Sequence, residues 1–257
     1  IEVVLHNGER LQASIVGSDP DSDVAVLQID LSDRSVKAGQ LPVITLGESS
    51  GLRVGDVVLA IGNPFGVGQT VTMGIISATG RSHLGISKYE NFIQTDASIN
   101  PGNSGGALID AQGKLIAINA AIFSHDRGSH GVGFAIPVDM VRGIVQQLLD
   151  SGRVSHGWLG IGGENMTAVL ADSFGLKSDM RGVLITQVYN KGAAAEAGLR
   201  PGDVITRIDE TPINSSFDIV NTVASKAVGS DVRIQGWRGS APLDLSVKLQ
   251  ERVVSSE

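Results

Sequence analysis

The sequence predicts a mainly β protein in two parts, with a β-barrel or sandwich first and a small mixed α+β domain after it. Three observations carry this. Short apolar runs separated by turn residues recur through residues 1–137, at the spacing of sandwich and barrel strands. The hydrophobic period changes to helical over Pro137–Leu149. Beyond a short polar stretch, Ser151–Gly157, strands and helices alternate to the end.

The elements follow in order. Ile1–Leu5 and Leu11–Val16 flank Asn7-Gly8, a strong hairpin signal. Val24–Ile29 is the next strand. A second series runs through Val54–Gly62, Thr70–Ala78, Phe92–Thr95, Ala107–Ile109, Leu115–Ala121 and Gly133–Ile136. Pro137 suits a helix start and Gly152 a stop, and Met140, Ile144, Val145, Leu148 and Leu149 share one face. The boundary is expected at 152/153. After it come a strand at Trp158–Ile161, a helix at Thr167–Ser173, a strand at Gly182–Val188 and a short helix at Ala193–Ala197. A strand at Asp203–Ile208, a helix at Phe217–Ala227 and strands at Asp231–Trp237 and Leu243–Leu249 complete the domain. Leu52-Arg53-x-Gly55-Asp56-Val57 and Leu199-Arg200-x-Gly202-Asp203-Val204 look alike, which reads as shared turn-then-strand chemistry because no period is sustained.

Composition bounds the function. The 257 residues hold 42% hydrophobic and 18% charged residues, so the chain is globular. A net charge of −7 argues against nucleic acid as a partner. The absence of Cys rules out disulfides and thiolate metal sites. No apolar run approaches the ~20 residues of a membrane span and no leader is recognisable. The chain opens inside a strand-like run without Met, so it is expected to be a piece of something longer.

The chemistry concentrates in Asn100-Pro101-Gly102-Asn103-Ser104-Gly105-Gly106. Glycines on both sides of one serine permit unusual φ and let a carbonyl approach the N–H groups of Gly102 and Ser104. The same residues also make an ordinary Gly-rich turn. An α/β-hydrolase elbow needs a helix right after the serine, whereas Ala107–Asp110 and Lys114–Asn119 around Ala111-Gln112-Gly113 read as a hairpin. A chymotrypsin-like double barrel, with His, Asp and Ser in that chain order, fits better. Asp23 opens an apolar strand, where an acid is costly unless paired. It is either the acid that orients a histidine or one of three turn acids in Ser18–Asp23.

Ser22-Asp23-x-Ala25-x-Leu27, Gly55–Pro64, Gly74-Ile75-Ile76-Ser77, Gln94–Gly106 and Gly133-Phe134-Ala135-Ile136-Pro137 together resemble the HtrA/Deg serine proteases. Trp158-Leu159-Gly160-Ile161-Gly162, Ala193-x-x-x-Ala197-Gly198-Leu199 and Pro201–Ile205 resemble their PDZ module. The resemblance covers nearly the whole chain. With one PDZ module, it points to DegS-like stress-sensing members. It implies a protease domain at 1–152, its first barrel partial, and a PDZ domain at 153–257. It implies Ser104 as nucleophile, Asp23 as the orienting acid, and Gly102 and Ser104 N–H groups as the oxyanion hole, with Asn103 between them. Asp19, Phe65, Thr70, Arg81 and Gln94 match positions that switch the loops between inactive and active states. Phe65 also reads as a core contact and Arg81 as a solvated charge. Trp158, Leu159, Gly160 and Ile161 would receive a peptide C-terminus, with Phe217, Val220 and Val223 as the other wall or as ordinary core residues.

The resemblance also implies a membrane anti-sigma factor as substrate, C-terminal peptides of misfolded outer-membrane proteins as activators, a homotrimer, and a periplasmic location with an N-terminal membrane anchor. The family's catalytic His lies in a Thr-Asn-x-His-Val segment upstream of Asp23. None of His6, His83, His125, His130 or His156 has that context, so this chain is expected to lack the general base. A non-catalytic peptide sensor or chaperone on the same scaffold is the alternative. No cofactor is expected, and no metal: His125 and His130 have no Cys partners. Ile61–Gly68 lacks the residues of a phosphate loop. Ile122–Gly131 is expected to influence cleavage preference or regulation.

Overall fold

A computed structural model describes residues 1–32, 41–122 and 130–252. The chain divides into two compact units, Ile1–Val154 and Ser155–Glu257. The first opens with an antiparallel sheet of β1 (Glu2–Val4), β2 (Arg10–Asp19) and β3 (Val24–Ile29). It continues with β4 (Val57–Gly62), β5 (Thr70–Arg81), β6 (Phe92–Thr95), β7 (Ala107–Asp110), β8 (Leu115–Ile122) and β9 (Gly133–Pro137). These six close into a barrel in the order β4-β5-β6-β9-β8-β7. The partial first barrel expected from the sequence is this open three-stranded sheet, and the second barrel is closed. Side chains alternate as the strand period requires. Val58 and Ala60 point inward beside Ile76, Ile93, Leu108 and Ile116, while Val57 faces out.

Helix α1 (Val138–Ser151) leaves β9 directly and packs on β2, β3 and β8. Val138, Ile144 and Leu148 are its buried stripe. Leu149, predicted on that face, is exposed, since one residue past Leu148 turns about 100° away. Gly152, in the left-handed region at φ 71°, ends the helix by donating to the Leu148 carbonyl.

In the second unit β11 (Ile161–Asn165), β12 (Val183–Val188), β13 (Asp203–Ile208), β15 (Asp231–Arg238) and β16 (Ala241–Lys248) neighbour one another in that order, with β14 (Thr211–Pro212) beside β13. Strand β10 (Gly157–Trp158) pairs instead with β17 (Gln250–Glu251). The strand predicted over Trp158–Ile161 is thus broken. Gly160 takes φ 75°, which an extended strand cannot continue through. Helices α2 (Ala168–Ser173), α3 (Ala193–Glu196) and α4 (Ser216–Ala224) complete the unit. Ser215 and Asp218 form a capping box that starts α4 one residue earlier than predicted. Leu159, Ile185, Ile205, Ile208, Val223 and Val232 lie in its core.

Candidate active site and peptide groove

Ser104 stands exposed in the connection between β6 and β7, and its hydroxyl donates to the Ala120 carbonyl of β8 at 2.8 Å. The loop is folded by its own backbone: Asn103 N–H reaches Asn100 O and Gly106 N–H reaches Asn103 O, each at 2.9 Å. It is pinned to β8 by a reciprocal pair, Gly105 N–H to Asn119 O and Asn119 N–H to Gly106 O, both at 2.8 Å. The buried Asn119 amide also donates to Ile61 O and Ala107 O at 3.2 Å. On its other side the loop meets the turn Pro64–Gly66. Phe65 N–H donates to Pro101 O at 2.9 Å and Asn63 N–H to Gly102 O at 3.2 Å. Gly102 lies at φ 101°, and a Cβ there would stand 2.3 Å from Asn63 O. Only glycine fits this contact.

The carbonyls of Asn100, Pro101, Gly102, Asn103 and Gly106 are thus engaged, while the N–H groups of Gly102 and Ser104 have no acceptor among the described residues. Asn103 is buried between them. Its amide donates to Ser98 O at 3.3 Å and its Oδ1 is unpartnered. Two unspent N–H groups beside an exposed hydroxyl can receive negative charge developing on a carbonyl oxygen. The Ala120 carbonyl holds the serine proton but cannot accept it as a base would.

Asp23 does not enter a buried strand. It is exposed in the turn before a half-exposed β3, at φ 60°, and its carboxylate makes no hydrogen bond or ion pair among the described residues. The turn itself is firmly built. The buried Asp19 carboxylate accepts from the Ser22 hydroxyl, and Ser22 N–H donates to Asp19 O at 3.3 Å. Lys88 forms an ion pair with Asp21 at 2.7 Å. Burial, then the charges of Asp21 and Asp19, push the Tyr89 hydroxyl up to about 12. None of His6, His83 and His130 bonds to Ser104 or Asp23, and His156 belongs to the second unit. His125 and most of the Ile122–Gly131 loop lie outside the described residues.

The predicted switch residues fall at four places. Arg81 and Gln94 meet across β5 and β6, Arg81 Nε donating to Gln94 Oε1 at 2.8 Å. Phe65 is exposed at φ 56°, not a core contact. Thr70 opens β5 and donates to Gly68 O at 3.1 Å. Asp19 stands in the turn of Asp23. Sequence reasoning missed Asn63, Asn119 and the Ala120 carbonyl; backbone acceptors and lone asparagines leave no spacing to read.

In the second unit, β11 is an edge strand with β12 on one side and α4 packed near it. The segment before it has the same unspent polarity as the serine loop. Leu159 O accepts from Ala194 N–H at 2.8 Å and Gly160 O from Tyr189 N–H at 2.9 Å. The N–H groups of Leu159 and Gly160 have no acceptor among the described residues. Trp158 stacks obliquely on Tyr189, with ring centroids 5.8 Å apart. On α4, Val220 is exposed, Phe217 half-buried and Val223 fully in the core. An edge strand, unspent N–H groups and an apolar helix face can take an extended peptide by its C-terminus.

Residues 1–118 match the trypsin-like peptidase domain family and residues 157–249 the PDZ domain family. The periplasmic pH-dependent serine endoprotease DegQ of Escherichia coli K12 is 44% identical over 256 residues, 100% of this chain and 55% of the relative. The periplasmic serine endoprotease DegP of Salmonella typhimurium LT2 is 44% identical over 98% of this chain and 51% of its own length. The chain spans about half the length of the curated relatives it matches. Among solved structures, the HtrA-type protease AlgW with a decapeptide is 49% identical, with a TM-score of 0.81 over 98% of this chain and 75% of that one. A serine endoprotease from Yersinia pestis is 37% identical, with a TM-score of 0.68 over 98% and 80%.

Proposed function

Since the chain belongs to the HtrA family of trypsin-like serine peptidases that carry a PDZ domain, we propose that it is the working part of a periplasmic serine endopeptidase gated by peptide C-termini. The observation that carries this reading is the pair of unspent N–H groups, on Gly102 and Ser104, flanking an exposed serine hydroxyl. Ser104 Oγ attacks the scissile carbonyl, and its oxygen gathers charge against the two N–H groups, an arrangement that contributes about 3–4 kcal/mol per donor. Asn103 fixes the loop between them. Asp23 orients the imidazole that takes the serine proton. The reading assigns that imidazole to none of His6, His83 and His130, which make no bond to Ser104 or Asp23.

The regulatory half of the reading starts at the second unit. A peptide C-terminal carboxylate binds the N–H groups of Leu159 and Gly160. Its strand adds to β11 between Trp158 and Ile161, with Phe217 and Val220 as the apolar wall. The decapeptide and tripeptide bound to AlgW support peptides as ligands. Binding raises activity only if it favours the active arrangement of the protease loops over the inactive one. Asp19, Phe65, Thr70, Arg81 and Gln94 are the residues proposed to switch. The hydrogen bond from Phe65 N–H to Pro101 O supports this, because it ties that turn to the loop of Ser104. The DegS-like form of the proposal names a membrane anti-sigma factor as substrate, tails of misfolded outer-membrane proteins as activators, a homotrimer as assembly, and an inner-membrane tether. It would start the proteolysis of an envelope stress response.

A second reading, a non-catalytic peptide sensor or chaperone, is favoured by one observation: the Ser104 proton rests on a carbonyl and Asp23 has no hydrogen-bond or ion-pair partner among the described residues. One experiment separates the two. The full-length protein is incubated with a periplasmic anti-sigma domain, with and without a peptide ending in an aromatic-rich C-terminus, beside Ser104→Ala. Peptide-stimulated cleavage that vanishes in the alanine variant is expected. Peptide binding without cleavage selects the sensor.

A further inference from the structure

Glu90 is a buried carboxylate that the proposed chemistry leaves unused. Its side chain is 1% exposed. Its Oε2 accepts from Leu84 N–H at 2.7 Å, and its Oε1 accepts from Ile86 N–H at 2.7 Å and Ser87 N–H at 3.3 Å. A buried carboxylate is tolerated only with such donors, and here they fold the irregular connection between β5 and β6 around one residue. The neighbours of Glu90 then reach across to the first sheet. Lys88 and Tyr89 N–H groups both donate to the Asp21 carbonyl, at 3.0 and 3.1 Å, and Lys88 Nζ pairs with the Asp21 carboxylate. Asp21 lies two residues before Asp23. The Asp23 carboxylate has no hydrogen bond or ion pair among the described residues, and the residue sits in the left-handed region that non-glycine residues avoid. Its place is therefore imposed through the turn, by Asp19 and Ser22 from within and by Lys88 and Tyr89 from outside.

We propose that Glu90 is a positioning residue for the acid: it shapes the β5–β6 connection so that Lys88 and Tyr89 clamp the turn that presents Asp23. This rests on the reading of Asp23 as the orienting acid. Glu90→Gln is the sharp probe, because it keeps shape and volume. An amide has one acceptor oxygen, so either Leu84 N–H or the Ile86 and Ser87 N–H groups lose their partner and face an NH₂.

The test uses the full-length protein, with steady-state cleavage of unfolded casein and the rate of Ser104 phosphonylation by a fluorophosphonate. Glu90→Gln is expected to lower kcat about 10- to 100-fold, with KM within twofold. In a double-mutant cycle, its effect on phosphonylation is expected to shrink to within threefold when Asp23 is already Asn. An unchanged kcat in Glu90→Gln, or the same fold loss in the Asp23→Asn background, overturns the proposal. Should Glu90→Gln fail to fold, Lys88→Met removes the ion pair and spares the backbone bonds. It is expected to cost about threefold in kcat through the same Asp23-dependent term, and no such dependence overturns the proposal. Ser104→Ala keeps the two readings apart. If it retains phosphonylation, the assignment of the nucleophile fails whatever Glu90 does.

Discussion

The loop of Ser104 and the segment Leu159-Gly160 solve the same problem by different means. Each presents two backbone N–H groups without acceptors, and each does so by spending the neighbouring carbonyls elsewhere. In the second unit those carbonyls bond to Ala194, on α3, and to Tyr189, right after β12, so the segment is held by elements that are themselves packed in the core. In the first unit the carbonyls of Pro101 and Gly102 bond to Phe65 and Asn63, which belong to another irregular turn. One anion site is anchored to secondary structure alone, the other to β8 on one side and to a second loop on the other. A site hung on a loop moves when that loop moves, which is what a switchable catalytic site needs. A site hung on helix and strand stays ready for its ligand.

The contrast can be broken most directly at Gly102. A methyl group there would meet Asn63 O at 2.3 Å, so Gly102→Ala should pull the two loops apart. Casein cleavage is expected to fall about 10²- to 10³-fold, the loss of an oxyanion donor, while calorimetry finds peptide affinity within twofold of wild type. Gly160→Ala is the matching probe of the anchored site. A Cβ there meets Gly192 Cα and the Trp158 ring at about 3.1 Å, on a residue at φ 75°. Peptide affinity is expected to weaken about tenfold, or about 1.4 kcal/mol, read by fluorescence anisotropy. If Gly102→Ala costs no activity, the loop of Ser104 does not depend on its contact with the Pro64–Gly66 turn.

Much of this was legible in the sequence, for reasons that can be named. Leu52–Val57 and Leu199–Val204 were read as one local chemistry, and they fold alike. Asp56 and Asp203 each accept from the N–H three residues back, at Arg53 and Arg200, both at 2.8 Å. Gly55 and Gly202 sit at φ 98° and 94°. Such turns are fixed within a few residues, so the sequence carries them. The same two aspartates differ in what local sequence cannot carry: Asp56 is exposed, while Asp203 is buried and gripped by Arg238, 35 residues away. The site follows the same rule. The glycine frame of Ser104 is a local pattern and could be read. The roles of Asn63, Asn119 and Glu90 arise from backbone groups brought together by the barrel, and no spacing announces them. Asp23 was misjudged as entering a buried strand because the sheet it joins is open and β3 is half-exposed.

The smallest expected effect concerns acid. Asp139, in the first turn of α1, accepts from Ser49 and Ser50 N–H groups at 2.9 Å. Partial burial works to raise its carboxyl, but the hydrogen bonds from Ser49 and Ser50 and the nearby Arg142 outweigh it, and the group is held below its usual value. A depressed carboxyl stabilises the fold above its unfolded value near 3.9 and loses that contribution as pH falls through the folded value. Asp139→Asn should therefore destabilise the first unit slightly at neutral pH, by under about 1 kcal/mol as read by thermal unfolding. The difference should shrink as pH falls below the unfolded value of about 3.9 and vanish once pH lies below the lowered folded value, where the carboxyl is neutral in both states. A gap that persists unchanged into acid would mean the charge is not what holds Ser49 and Ser50.

The proposed function requires that Ser104 be a nucleophile whose competence is set from the peptide groove. Intact-mass and peptide mapping of the full-length protein after a timed fluorophosphonate reaction test it most directly, run with and without a C-terminal peptide. The account predicts a single adduct on Ser104, formed faster when peptide is bound and absent in Ser104→Ala. No adduct, or one that survives in Ser104→Ala, would contradict it.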